Sequence, residues 1–344
     1  MKIVIDQAIP FIKGVFEDYA DVLYRDGASI SPADIQDADA LVIRTRTVCN
    51  ASLLEGSSVK IISTAAIGTD HIDLEYCRSK GIHVQNAAGC NSGAVCNYVM
   101  SGIYGVASRK RLNLAGATVG IIGAGNVGMR VARASRLLGL NVLLNDPPRA
   151  EAEGPALFCE LDYLLRNSDI VTLHVPLNQQ TRGMADASFF SKMKLGSFFI
   201  NASRGEVVDE QALVAASEKF GAIIIDTWCG EPNVNLSLLE VADIATPHIA
   251  GYSYQGKLNG TSMAVRAVAR YLGISELYEF FPDPGGQPRD AVKLDLRGKP
   301  QGRIASIIQY NYPIFTDDFM FRLNPSAFES LRGNYRYRRE FFID

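Results

Sequence analysis

The stretch "VGIIGAGNVGMRVARASRLLG", residues 119–139, decides the fold. A strand-like apolar run ends in Gly123, Gly125 and Gly128, and a helical pattern follows at once. In this G-x-G-x-x-G spacing the first glycine serves a tight turn and the second lets backbone approach a pyrophosphate. The third allows close packing of helix on strand. The helix starting there offers unpaired N–H groups and the positive end of its dipole to phosphate. The next strand-like run, "NVLLND", ends in Asp146, where a carboxylate can bind both hydroxyls of an adenine ribose. Asp146 also repels a 2′-phosphate, which favours NAD over NADP; Arg149, three residues on, is the opposing signal.

Around this fingerprint, "TVGIIG", "NVLLND", "DIVTLHVP", "GSFFINAS", "AIIIDTW" and "ADIATP" alternate with helical segments, the pattern of a doubly wound parallel sheet. Upstream, "KIVID", "ALVIRT", "KIISTAA" and "IHVQN" alternate with helices in the same way. Two helix-like stretches, "SGAVCNYVMSGIYGVASRK" from Ser92 and "SYQGKLNGTSMAVRAVARYLG" from Ser253, bracket the second set. The reading is an α/β chain of two Rossmann-like doubly wound parallel-sheet domains with a cleft between them. Residues 1–95 and 252–280 form the substrate-binding, flavodoxin-like domain, and residues 96–251 the NAD-binding one. After the Pro- and Gly-rich "FFPDPGGQPRD", residues 288–344 form a small C-terminal α+β domain for dimerisation, too short for a large core of its own.

Several function classes are disfavoured by composition. A net charge of −3 gives no general drive toward nucleic acid or anionic membrane. The end, "LRGNYRYRREFFID", interleaves arginine with tyrosine, which suits an oligomer interface better than RNA. No apolar run has the length of a membrane span and the start does not read as a signal segment, so a soluble, cytoplasmic protein is expected. The six cysteines lack zinc-ligand spacing and read as reduced, mostly buried thiols; no metal is implied.

Four histidines are present. His83, at the start of a strand, reads as structural; His174 sits where its strand end should approach the cofactor, and packing explains it equally well. His248, in "ATPHIAGYS", follows a strand-like run at a domain boundary, from which it can reach a substrate, with Arg204 and Glu231 as upstream partners.

The motifs "GAGNVG", "NASRGEVVDEQAL", "DTWCGEP" and "TPHIAG", in this order, resemble the NAD-dependent D-2-hydroxyacid dehydrogenase family over residues 40–272. The resemblance makes Arg204, Glu231 and His248 the catalytic set. Oxidising a 2-hydroxy acid requires a base for the hydroxyl proton, here His248, and a cation for the carboxylate, here Arg204. Glu231 would orient the imidazole and favour its charged form. The resemblance extends the NAD contacts to Asn126, Val127, Val175, the turn Ala202, Ser203 and Arg204, then Asp226 toward the nicotinamide amide, and Gly251.

Further stretches, "RTRT", "AAGCN", "DPPRA", "HIAGYSYQGK" and the C-terminal segment, resemble the branch of the family that acts on 4-phospho-D-erythronate in pyridoxal phosphate formation. They imply a small phosphorylated 2-hydroxy acid as substrate and a homodimer as the assembly. Substrate contacts are expected from the backbone of Ala66, Ile67 and Gly68, where a turn suits an oxyanion, and from Tyr252. Arg44, Thr45 and Arg46 are expected at the phosphate, although a continuing strand would place the two arginines and the threonine on opposite faces. 3-Phosphoglycerate or glycerate is the alternative substrate, and a dinucleotide-sensing interaction protein the alternative class.

Overall fold

The computed structural model describes all residues, Met1–Asp344, and divides into two compact units, Met1–Asn91 with Tyr254–Asp290 and Ser92–Ser253 with Ala291–Asp344. The first unit holds a parallel sheet of β1 (Lys2–Asp6), β2 (Asp21–Arg25), β3 (Ala40–Ile43), β4 (Ile61–Thr64) and β5 (His83–Asn86) in the order β2-β1-β3-β4-β5. This is the flavodoxin-like order. Four of these strands are legible as apolar runs; β2, "DVLYR", is not. It sits at the sheet edge, half-buried and charged at both ends, so it lacks the continuous apolar pattern of a strand covered on both faces. The helix Tyr254–Leu272 covers one face, setting Ala264, Val265, Val268 and Ala269 against Ile3, Ile5 and Ala40.

The second unit holds six parallel strands, β6 (Thr118–Ile122), β7 (Asn141–Asn145), β8 (Ile170–Leu173), β9 (Phe198–Asn201), β10 (Ala222–Ile225) and β11 (Ile244–Ala245), in the order β11-β10-β9-β8-β6-β7. The chain moves one way from β6 to β7 and the other way to β8. The carboxyl ends of β6 and β8 therefore flank a topological switch point, where open α/β sheets bind ligands.

The helix Ser92–Lys110 is buried over most of its circumference, which a helix with one exposed face is not. The C-terminal segment accounts for this. Its helices Gln301–Asn311 and Ile314–Leu323 bring Ile304, Ile308, Tyr312 and Ile314 into one core with Tyr98, Val99 and Ile103. Its two short strands, β12 (Val292–Leu294) and β13 (Phe341–Ile343), pair in parallel, and Asn97 exchanges hydrogen bonds with the Phe341 backbone at 2.7 and 2.9 Å. The segment thus shares its core with the unit that carries the glycine motif.

Candidate active site

At the end of β6, Gly123 adopts φ +89°, and a Cβ there would lie 2.5 Å from the His174 carbonyl oxygen. A Cβ on Gly128 would lie 2.0 Å from the Gly123 carbonyl oxygen, so only glycine lets the helix Asn126–Leu137 approach its strand this closely. Gly125, the residue capping that helix, differs: a Cβ there would meet nothing within 4 Å. The backbone at Gly125 is open, as the approach of a pyrophosphate requires, so the cradle fits a dinucleotide. Val127 is partly buried against the core, and a Cβ on Gly123 would lie 3.0 Å from Val175 Cγ1.

Asp146 follows β7 and caps the next helix. Its Oδ2 accepts the Ala124 N–H at 2.8 Å and its Oδ1 the Arg149 N–H at 3.2 Å, so it stiffens the glycine turn itself. Arg149 is not an unengaged cation: Glu153 holds its Nη2 at 2.6 Å and its Nε at 2.7 Å, and its Nη1 donates to the Ala124 carbonyl. The signal that opposed NAD in the sequence is neutralised by its own helix.

After β9, the Asn201 side chain accepts from the Ser203 N–H at 3.1 Å and hydroxyl at 2.8 Å, and donates to the Arg204 carbonyl at 2.9 Å. This locks the turn Ala202 to Arg204. The following Gly205 touches the next loop so closely that a Cβ would fall 1.9 Å from the Trp228 carbonyl carbon. Glu210 adds a second tie, accepting the Cys229 N–H at 2.7 Å. Arg204 is therefore registered against the loop that carries Glu231.

Glu231 Oε2 lies 2.8 Å from His248 Nδ1, and Oε1 accepts the Trp228 N–H at 3.0 Å. Burial opposes ionisation of Glu231, but the hydrogen bond and charge of His248, the Trp228 amide and the charge of Arg332 outweigh it and hold the carboxyl below its ordinary range. His248 has φ +56°, uncommon for a residue with a side chain. Asp226 holds it there. Its carbonyl accepts the His248 N–H at 2.8 Å, while its buried carboxylate accepts Thr246 Oγ at 2.7 Å and the N–H groups of Ile249 at 2.8 Å and Ala250 at 2.9 Å. Asp226, expected from resemblance toward a nicotinamide amide, also organises the histidine loop through these contacts with Thr246, Ile249 and Ala250. Burial raises its pKa, while His248 and these donors act the other way.

A model of the D-isomer specific 2-hydroxyacid dehydrogenase NAD binding domain matches residues 94–250. The erythronate-4-phosphate dehydrogenases of Bacteroides thetaiotaomicron and Bacteroides fragilis are 43% and 41% identical to this chain, each over 99% of it and 97% of the relative. This chain belongs to the D-isomer specific 2-hydroxyacid dehydrogenase family. A crystal structure of the D-lactate dehydrogenase of Aquifex aeolicus, complexed with NAD and lactic acid, is 28% identical, with a TM-score of 0.65 over 82% of this chain and 98% of that one.

The C-terminal segment lies outside the region matched by the family's NAD-binding model, yet it reaches the histidine loop. Arg338 donates from Nη1 to the carbonyls of Ile249 at 3.1 Å and Tyr252 at 3.0 Å, and from Nη2 to Ala94 at 3.2 Å and to Ala250. Arg332 donates to Tyr252 Oη at 3.1 Å. Neither arginine was singled out by sequence, because the contacts span 80 residues or more and no local pattern announces them. Trp228 is likewise claimed by this segment: its ring lies 5.8 Å from that of Phe321, and its Nε1 donates to the Thr246 carbonyl at 2.9 Å.

In the first unit of this dehydrogenase, β3 ends at Ile43, so residues 44–46 form a turn and strand alternation does not divide them. Arg44 is occupied, its Nε 2.8 Å and Nη2 3.3 Å from the carboxylate of buried Asp6. Thr45 and Arg46 are exposed in that turn. The half-buried turn of Ala66, Ile67 and Gly68 follows β4; the Ala87 N–H takes the Ala66 carbonyl at 3.0 Å and the Asn86 side chain the Ile67 carbonyl at 2.7 Å.

Proposed function

We propose that this dehydrogenase oxidises 4-phospho-D-erythronate at C2 to (R)-3-hydroxy-2-oxo-4-phosphobutanoate, a step toward pyridoxal 5′-phosphate, as a cytoplasmic homodimer. The observation that carries the chemistry is the hydrogen bond of Glu231 to His248 Nδ1. A carboxylate accepts, so Nδ1 carries the hydrogen and the neutral ring presents Nε2 as the free acceptor. His248 Nε2 then takes the C2 hydroxyl proton, and Glu231 stabilises the imidazolium that results. Arg204 offers its guanidinium fork to the substrate carboxylate, with the backbone of Ala66, Ile67 and Gly68 as further donors. When bound against the glycine turn, NAD supplies the hydride acceptor. A module that only senses a dinucleotide has no need of a base and its orienter.

The substrate follows from relatives named for erythronate-4-phosphate at up to 43% identity over nearly the whole chain. The cytoplasmic setting is supported by six cysteines outside any disulfide and by the lack of any helix long and apolar enough to cross a membrane. A panel of 4-phospho-D-erythronate, 3-phosphoglycerate and D-glycerate at fixed NAD, read as NADH formation, tests the reading. Comparable kcat/KM on D-glycerate overturns the phosphate assignment.

A further inference from the structure

The loop that follows His248 is held from two sides by opposite charges. Ile249 and Ala250 give their N–H groups to the Asp226 carboxylate at 2.8 and 2.9 Å. The carbonyls of the same two residues accept from Arg338, Ile249 from Nη1 at 3.1 Å and Ala250 from Nη2. Each donor thus meets an anion and each acceptor a cation, and charge-assisted hydrogen bonds are the stronger kind. His248, just ahead of this pair, has φ +56°. A residue with a side chain keeps a left-handed backbone only where its surroundings over-determine it.

Arg338 is itself fixed on every side. Its guanidinium lies 4.1 Å from the centre of the Tyr312 ring, and Nη1 donates to Tyr335 Oη at 3.2 Å, which in turn donates to Asp317 at 2.8 Å. Its backbone bridges to Ser253, and two residues on Glu340 accepts the Ser253 hydroxyl at 2.6 Å. The carbonyls of Tyr252 at 3.0 Å and Ala94 at 3.2 Å complete its acceptors. Its Nε is sealed from water without a partner. An unpaired buried N–H is unfavourable, so the side chain gives up one hydrogen bond and aims both terminal nitrogens at the loop.

We propose that Arg338 is a positioning residue of the reaction: paired with Asp226 across the peptides of Ile249 and Ala250, it holds His248 in the conformation that aims its imidazole. The C-terminal segment is then part of the catalytic unit. The proposal rests on the reading of His248 as the base. Arg338 acts through backbone carbonyls, so its effect falls on the geometry of the base. A lysine ammonium, a point charge without the planar fork, cannot serve the carbonyls of Ala94, Ile249, Ala250 and Tyr252 together.

The test compares Arg338→Gln and Arg338→Lys, each alone and combined with His248→Ala, on 4-phospho-D-erythronate, with NADH affinity and melting temperature as checks on folding. A misaimed base should lower kcat by about 10- to 100-fold in Arg338→Gln, while KM and NADH affinity change by no more than about threefold. Arg338→Lys should recover part of that loss, since a charge remains beside the loop; it also carries the comparison if Arg338→Gln does not fold. In the His248→Ala background, the same substitutions should lower the residual rate by no more than about twofold, because no base is left to position. Equal loss in both backgrounds overturns the proposal and leaves Arg338 a packing residue. So does an unchanged kcat, or a loss confined to KM or NADH affinity. Failure of the reading of the base appears separately, as a His248→Ala single variant that keeps near wild-type kcat.

Discussion

Glu231 Oε2 and His248 Nδ1 stand 2.8 Å apart, and the Trp228 N–H holds the other oxygen of the same carboxylate at 3.0 Å. The imidazole cannot rotate without breaking a bond to an acid that is itself anchored. Removing the base in His248→Ala should lower kcat by about 10²- to 10⁴-fold. Glu231→Gln keeps the shape but removes the charge that stabilises the imidazolium formed in the reaction, so kcat should fall about tenfold or more. NADH affinity should hold in both. An unchanged kcat in Glu231→Gln would remove Glu231 from this role.

Two glycines of the dinucleotide turn should fail in different ways. A methyl at Gly128 would press on the Gly123 carbonyl at 2.0 Å, so Gly128→Ala should destabilise the domain by about 1–3 kcal/mol, as overpacking does. At Gly125 the methyl would meet no protein atom within 4 Å. Gly125→Ala should keep its melting temperature and lose NAD affinity, because the added group occupies the path of the pyrophosphate. Calorimetry beside NAD titration separates the two. Equal melting losses would show that Gly125 is only a packing residue.

In the proposed reading, cofactor choice rests on Asp146 and on the pairing of Arg149 with Glu153 at 2.6 and 2.7 Å. An arginine so matched is poorly placed to greet a 2′-phosphate. Asp146→Ser with Glu153→Ala should remove the repelling carboxylate and release the guanidinium from its helix. The NAD-to-NADP preference should then shift by about 10²-fold or more, the combined worth of a new charge-assisted hydrogen bond and a relieved repulsion. Steady-state kinetics with both cofactors checks this. A preference unchanged in the double variant would place discrimination elsewhere.

What was legible in the chain follows the range of the forces involved. The strands on either side of Gly123 are short apolar runs bounded by turns, and burial on both faces enforces that pattern locally. The Glu231–His248 pair was readable because motif order carries it. Asp226 shows the limit: its strand-end position announces a functional carboxylate, but only the fold reveals that Thr246, Ile249 and Ala250 converge on it. Arg44 shows the same limit, since its partner Asp6 is 38 residues away on another strand. Arg332 and Arg338 act on the histidine loop from 80 or more residues downstream, where only tertiary packing decides the contact.

His174 supplies a pH signature. Burial pushes its ring from 6.5 down to about 3, so the folded chain stays neutral there while the unfolded chain takes up a proton below 6.5. Its contribution to stability is complete above pH 6.5 and is lost progressively as pH falls toward 3. Because the side chain keeps some solvent contact, about 1–2 kcal/mol should disappear between pH 6.5 and 4. His174→Gln retains a group for Thr172 Oγ, now 3.0 Å from Nε2, but does not titrate. Denaturant melts across this range should show a flatter pH dependence in the variant. Parallel curves would deny His174 the role.

The proposed homodimer can be tested without truncation. Leu294, Ile304, Ile308 and Phe341 share a core with Val119 and Ile121, while Phe321 and Phe328 share another with Trp228, so removing residues 291–344 would open the nucleotide-binding unit. The same segment exposes Phe319, Met320 and Leu323 on one helix, at 59%, 48% and 63%. An exposed apolar patch of this kind suits a partner site. Phe319→Glu with Leu323→Lys places opposite charges four residues apart, which support the helix but cannot be buried cheaply against a second copy. Sedimentation should show a dimer for wild type and a monomer for the double variant, with near-unchanged melting at low concentration. A dimer that survives both charges would mean that the copies meet on another face.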